Sequence, residues 1–292
     1  MSIDTWFKAF CDNSKMTSAT IDTIRLRYKR ITKRINLDYW DSTSETNHSL
    51  YVGSYGRGTK VYTSDIDIIV WVPWDVKSRF DKRTGNVQSQ FIQEVKESIK
   101  KKYSTTNVRG DRQVIQLAFA DGISFEIVPA FEYSNKDFCY PDTNNGGSWK
   151  TTKPRLEIEA SNAMNANTNS NYKRLCWMVR AWKQKCNVKM SGYLIDTLAY
   201  KFIENWKYND KSYIYYDWMS RDFFKYLKDY DDDKAYTYAL GSNQKVYLTK
   251  GFSNKGKDAY NKSLRAIQYQ EDDSNTSAKL KWREIYGTKF PS

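Results

Sequence analysis

Apolar residues near the start of the chain recur every three or four places. Ile21, Ile24, Tyr28, Ile31 and Ile35 fall on one side of a helical projection, and Arg and Lys fill the others. The spacing predicts an amphipathic helix over 17–36. Thr17 or Ser18 would cap it, because a hydroxyl there can accept an N–H that the first turn leaves unpaired. A second, short helix is expected over 37–52. The period then changes. From Asp65 to about Pro73 an apolar run reads as a strand, whose successive side chains face opposite ways. Residues 75–87 are polar and read as irregular. Phe91, Val95 and Ile99 predict a helix over 91–103. Two β-compatible runs, 113–120 and 123–128, flank Asp121-Gly122, a two-residue hairpin signal. Pro129 should end the second run, since it lacks a backbone donor. Residues 134–170, rich in Asn, Ser, Thr and Gly, read as a linker or active-site loop region. Helical stripes return over 172–185 (Leu175, Val179, Trp182), 193–208 (Leu194, Leu198, Phe202, Trp206) and 218–228. The order predicts a two-lobed α/β (α+β) fold. A mixed sheet is expected within residues 1–150, and a closely packed helical lobe within 151–292.

The strand from Asp65 carries the first candidate chemistry. Asp65 and Asp67 are two residues apart, so they project together while Ile66 and Ile68 face the other way. Two carboxylates side by side repel each other unless a cation lies between them. Mg²⁺ takes hard oxygen ligands and is usually shared between carboxylates and substrate phosphates. Upstream stand Gly53 and Ser54, and a glycine there lets backbone N–H groups approach a phosphate. Glu126 is the only acid on the return strand of the Asp121-Gly122 hairpin, flanked by Phe125 and Ile127.

The run Gly53-Ser54-Tyr-Gly-Arg-Gly-Thr, followed by Ser64-Asp65-Ile-Asp67-Ile, resembles the nucleotidyltransferase signature of the DNA polymerase β superfamily. It is similar in particular to the bacterial cGAS/DncV-like nucleotidyltransferases. The resemblance is close over the catalytic strands and loose over the helical lobe. It implies a polymerase-β-like sheet braced by the N-terminal helix. It implies that Gly53 and Ser54 hold the donor triphosphate, and that Asp65, Asp67 and a third acid are catalytic and bind two Mg²⁺ ions, with Mn²⁺ a possible substitute. Phe125-Glu126-Ile-Val-Pro-Ala matches the third-acid strand, but with Glu where the family most often has Asp. The extra methylene moves the carboxylate by about 1.5 Å, one C–C bond. On the helical lobe Arg180 lies where the family usually places a Lys, and Lys183 is three residues on. Ser191 is then a candidate phosphate contact and Tyr193 a candidate platform for a base. The implied reaction joins nucleoside triphosphates into a cyclic di- or trinucleotide that activates an effector protein in anti-phage signalling. A linear-oligonucleotide or RNA-tailing enzyme, or an inactive nucleotide sensor, would share the fold.

Composition narrows the partners without choosing one. A net charge of +13 favours polyanions, nucleoside triphosphates among them. The zinc insertion by which animal cGAS binds DNA is missing, so direct nucleic-acid binding is not expected. No apolar run nears the roughly 20 residues that span a bilayer, and the first residues do not read as an export signal. Four scattered Cys and one His leave no zinc motif. Together these point to a cytoplasmic protein without a membrane partner.

Overall fold

The computed structural model describes residues 2–61, 65–111 and 113–292. In chain order the elements begin α1 (Ile3–Asn13), α2 (Ser18–Tyr39), β1 (Ser49–Tyr51), α3 (Gly53–Gly56), β2 (Asp65–Trp71), α4 (Trp74–Asp81), α5 (Val87–Lys102), β3 (Asn107–Asp111), β4 (Val114–Ala118) and β5 (Ser124–Glu132). They continue with β6 (Phe138–Asp142), β7 (Ser148–Thr152), α6 (Pro154–Asn167), α7 (Asn171–Lys185), α8 (Gly192–Asn205), α9 (Tyr216–Lys228), β8 (Tyr236–Tyr238), β9 (Lys245–Tyr247), α10 (Phe252–Glu271) and α11 (Asn275–Tyr286). These fall into two units, one of residues 16–56 and 63–155, the other of 1–15, 57–62 and 156–292.

The first unit holds the mixed sheet, in the order β1-β2-β5-β4-β3, with β6 and β7 extending from the far end of β5. Among the described residues, only the β2–β5 pair is parallel. Ile66, Ile68, Phe125 and Ile127 on these two strands are fully buried. They join Ile24, Ile31 and Ile35 of α2 and Phe91, Val95 and Ile99 of α5 in one core. The helix expected over 17–36 is thus α2, and Thr17 caps it by accepting the N–H of Thr20 at 3.2 Å.

Four expectations are corrected in this unit. Residues 37–52 are not a second helix: α2 ends at Tyr39 and β1 follows. Buried Asn36 causes the break, because its side-chain amide donates to the carbonyls of Ser44 (2.9 Å) and Asn47 (2.8 Å) and folds the intervening chain into turns. Residues 74–81 form α4 where irregular chain was expected. Val76 and Phe80, four apart and buried, give that short helix its apolar side. β5 runs through Pro129 to Glu132. β4 pairs with it only as far as Ile127, and β6 joins at Phe131, so among the described residues Pro129 is in register only with Val70 of β2. A residue with no N–H is tolerated at such a position. Finally, the region 134–170 is largely ordered, as the β6–β7 pair of this unit and as α6, most of which belongs to the second unit.

The second unit is built around α7, α8 and α9, where helices over 172–185, 193–208 and 218–228 were expected. Trp182, Leu194, Leu198, Phe223 and Leu227 are all fully buried there. α1 belongs to this unit. The Phe7 ring lies 5.2 Å from both Trp282 and Phe290, and the Phe10 ring 4.7 Å from Tyr286. α10 and α11 lie within the helical lobe expected over 151–292, although no individual helix was expected over them.

Candidate active site

Strand alternation puts the acids together. Ile66 and Ile68 enter the core, so Asp65 and Asp67 stand on the opposite face of β2. In the parallel ladder Asp67 pairs in register with Glu126, and Asp65 with Ser124. Phe125 and Ile127 are buried with Ile66 and Ile68, so Glu126 shares the face of the two Asp. Ser124 donates its hydroxyl to Asp65 at 2.6 Å. Asp65 is exposed, and Asp67 and Glu126 are half-buried.

Gly53 and Ser54 open α3, beside the same strand. The Val52 N–H donates to the Asp67 carbonyl at 2.9 Å. Gly53 has φ +58°, a left-handed conformation open to glycine, and a Cβ built on it would fall 2.0 Å from Asp67 Oδ2. The turn and the second Asp are therefore in contact. The stretch from Tyr62 to Ser64, which includes the Ser64 of the motif, lies outside the described residues.

Among the described residues, no three His, Cys, Asp or Glu side chains are gathered as they would be around a metal ion. The donor chemistry does suit a hard cation: Asp65, Asp67 and Glu126 offer carboxylate oxygens on one face, and Gly53 lets the turn close against Asp67. Asp121, the other acid of the hairpin, is committed elsewhere. Arg27 of α2 grips it with two hydrogen bonds, of 3.0 and 2.8 Å, and holds its carboxyl below the usual range.

The four helical-lobe candidates fall into different situations. Arg180 is nearly buried and pairs with Asp196 at 2.6 Å. Tyr193 donates its hydroxyl to Glu157, and its ring lies 4.9 Å from the Arg57 guanidinium. Burial, and then the Glu157 charge, raise its pKa. Ser191 caps α8 by accepting the Leu194 N–H at 3.1 Å. Lys183 is half-buried, and its ammonium is held below the ordinary lysine range first by burial and then by the charge of Arg180.

Sequence reasoning missed the residue that joins two of these. Arg57, 4% exposed, donates Nε to Asp196 at 3.0 Å and Nη1 to Glu157 at 3.1 Å. Thr59 donates to Asp196 at 2.7 Å, and Ser242 to Glu157 at 3.0 Å. Burial opposes ionisation of Asp196, but Arg180 and Arg57 outweigh it and keep the carboxyl below the usual range. A signal was present: Asp196 interrupts the apolar run Leu194-Ile-Asp-Thr-Leu198, and an acid in such a stripe needs a buried partner.

Residues 1–165 match the family model of the Second Messenger Oligonucleotide or Dinucleotide Synthetase domain, more than half of the chain. The chain is 27% identical to a probable cyclic nucleotide synthase of Bacillus cereus, over 81% of its own length and 74% of that protein's. Its fold is similar to that of CdnC from E. coli MS115-1, solved with ATP (TM-score 0.68, 14% identity, 99% of this chain and 98% of that one). It is also similar to that of the CD-NTase CdnG from Bradyrhizobium diazoefficiens, solved with GTP (TM-score 0.68, 9% identity, 99% of this chain and 96% of that one). The chain belongs to the Second Messenger Oligonucleotide or Dinucleotide Synthetase family, and is a nucleotidyltransferase of the cGAS/DncV-like kind.

Proposed function

We propose that this nucleotidyltransferase joins nucleoside triphosphates into a cyclic di- or trinucleotide, with Asp65, Asp67 and Glu126 at the reacting centre. The observation that carries the reading is the register of Asp67 with Glu126 on the face that Asp65 shares. Two Mg²⁺ ions held by these carboxylates, or Mn²⁺ in their place, would neutralise phosphate charge and favour loss of the acceptor proton. Glu126 takes that proton as the acceptor hydroxyl attacks the α-phosphorus. One P–O bond forms, the bond to pyrophosphate breaks, and a second round closes the ring. Ser54 donates its hydroxyl to a donor phosphate, and Gly53 keeps the backbone low enough for the phosphate to approach. Lys183 supplies positive charge toward the triphosphate, and Ser191 a further hydroxyl. Arg180 and Tyr193 serve the donor by holding the chain that follows Ser54.

The product activates an effector protein in anti-phage signalling. This extension is supported by the chain's family and by its likeness to CD-NTases solved with ATP and GTP. Purified protein incubated with labelled nucleoside triphosphates and Mg²⁺ or Mn²⁺ tests it. A phosphatase-resistant product is expected. A ladder of phosphatase-sensitive oligomers would instead show a linear polymerase, and no product under any triphosphate mixture would overturn the reading.

A further inference from the structure

A buried network of ion pairs and hydrogen bonds runs through the second unit. It converges on three consecutive residues just after the Gly-Ser turn. Arg57 is tied through its side chain to Asp196 and Glu157, and through its carbonyl to the Ser161 hydroxyl at 2.9 Å. The Gly58 carbonyl accepts from Trp177 Nε1 at 3.3 Å. The Thr59 hydroxyl donates to Asp196 and accepts from Arg180 at 3.3 Å. Two guanidinium groups and two carboxylates balance within this network. Asp196 is fully buried and Glu157 nearly so.

A buried ion network adds little net stability over a well-packed apolar replacement. Its bonds are directional, and an Arg bridging two carboxylates fixes a backbone position that apolar contacts would leave adjustable. Only Tyr55 and Gly56 separate Arg57 from Ser54. A three-residue link spans at most about 11 Å when extended. α3 shortens it further, with the Gly56 N–H donating to Val52 at 2.8 Å.

We propose that Arg57 is a positioning residue for the donor triphosphate: by anchoring to Asp196 and Glu157 it fixes the chain next to Ser54. This rests on the phosphate role of Ser54 given above. Removing Arg57 leaves Asp196 with Arg180 and Thr59, and Glu157 with Tyr193 and Ser242, so both acids keep partners. Arg57→Lys keeps a charge but gives one ammonium where a fork met two carboxylates.

The test compares Arg57→Met, Arg57→Lys and Leu227→Ala, the last a core change in the same unit remote from the network in sequence. Two quantities are read on each full chain: amide hydrogen exchange at 54–59, and KM and kcat for phosphodiester formation. Arg57→Met should speed exchange at 54–59 and raise KM for the triphosphate about tenfold, the scale of one misplaced hydrogen bond to a charged group. Its kcat should change much less. Arg57→Lys should fall between parent and Arg57→Met on both readouts, and carries the test alone if Arg57→Met does not fold. Leu227→Ala should lower the melting temperature without moving exchange at 54–59 or KM. Unchanged exchange at 54–59 in the Arg57 variants would overturn the positioning role, whatever the enzyme makes. Faster exchange with parental KM would overturn its consequence for the donor, and so would a Leu227→Ala variant that reproduces both effects.

Discussion

Gly53 and Asp67 approach so closely that no methyl group fits between them: a Cβ on Gly53 would stand 2.0 Å from Oδ2 and 2.7 Å from Cγ of Asp67. The left-handed φ at Gly53 and the lack of a side chain are thus two separate demands on one residue. Gly53→Ala meets both. The backbone conformation alone costs about 1–2 kcal/mol for an L-residue, and the clash must push the Asp67 carboxylate aside. We expect a lower melting temperature and a larger loss of turnover than of stability. Parental turnover in Gly53→Ala would show that Asp67 can leave its place without consequence.

Asp65 and Asp67 test the reacting centre most directly. Replacing both by Asn removes two like charges from one strand face, so stability should stay level or rise. Product formation should fall by at least about a hundredfold, since charge stabilisation worth several kcal/mol is lost from the transition state. Thermal melts and phosphodiester assays on the same preparation separate the two effects. A double variant with parental rate cannot be reconciled with the mechanism.

Glu126 separates charge from reach. Glu126→Gln keeps length and loses the base, so the chemical step should slow heavily. Glu126→Asp keeps the charge one methylene further back and should retain substantial activity, with a shifted preference between Mg²⁺ and the larger Mn²⁺. Rates with each metal check both. If Glu126→Gln turns over normally, the proton acceptor lies elsewhere.

Asp217 predicts a pH dependence away from the reacting centre. It is 3% exposed, and burial pushes its pKa up to about 6, against the N–H of Trp218 and the Gln270 amide, which favour the charged form. The folded state therefore holds the proton more tightly than the unfolded chain. Its contribution to stability is fully present below about pH 4 and is lost as pH rises through about 6. The upper bound of that loss is about 3 kcal/mol, two pH units of differential binding. Denaturant midpoints at pH 5 and 7.5 should differ in that sense, after other titrations are subtracted with Asp217→Asn. A parent and variant with parallel profiles would remove Asp217 as the cause.

The legible parts of the fold were those whose signals are local. The three- and four-residue spacing of α2, the Thr17 cap and the Asp-Gly turn between β4 and β5 each depend on neighbours in sequence. The shared face of Asp65 and Asp67 follows from strand period alone. What stayed hidden depends on distant partners. Nothing near Asn36 says that its amide will hold the carbonyls of Ser44 and Asn47 and stop a helix. Pro129 reads as a strand end because the sequence does not show that β4 has already stopped pairing. Arg57 finds its carboxylates 100 and 139 residues further along. Arg180 and Tyr193 are candidates through the family resemblance alone, and the sequence does not show the buried partners, Asp196 and Glu157, that their polar groups meet.

The aromatic packing of α1 also fixes an order of events during synthesis. Phe7 and Phe10 are made well before the rings that pack on them, Tyr216 first and then Trp282, Tyr286 and Phe290. At about 5–20 residues per second, the last of these partners arrive roughly 15–60 s later. Over that interval the nascent chain carries a partly uncovered aromatic helix that chaperones, or other nascent chains, can reach before residues 282–290 do.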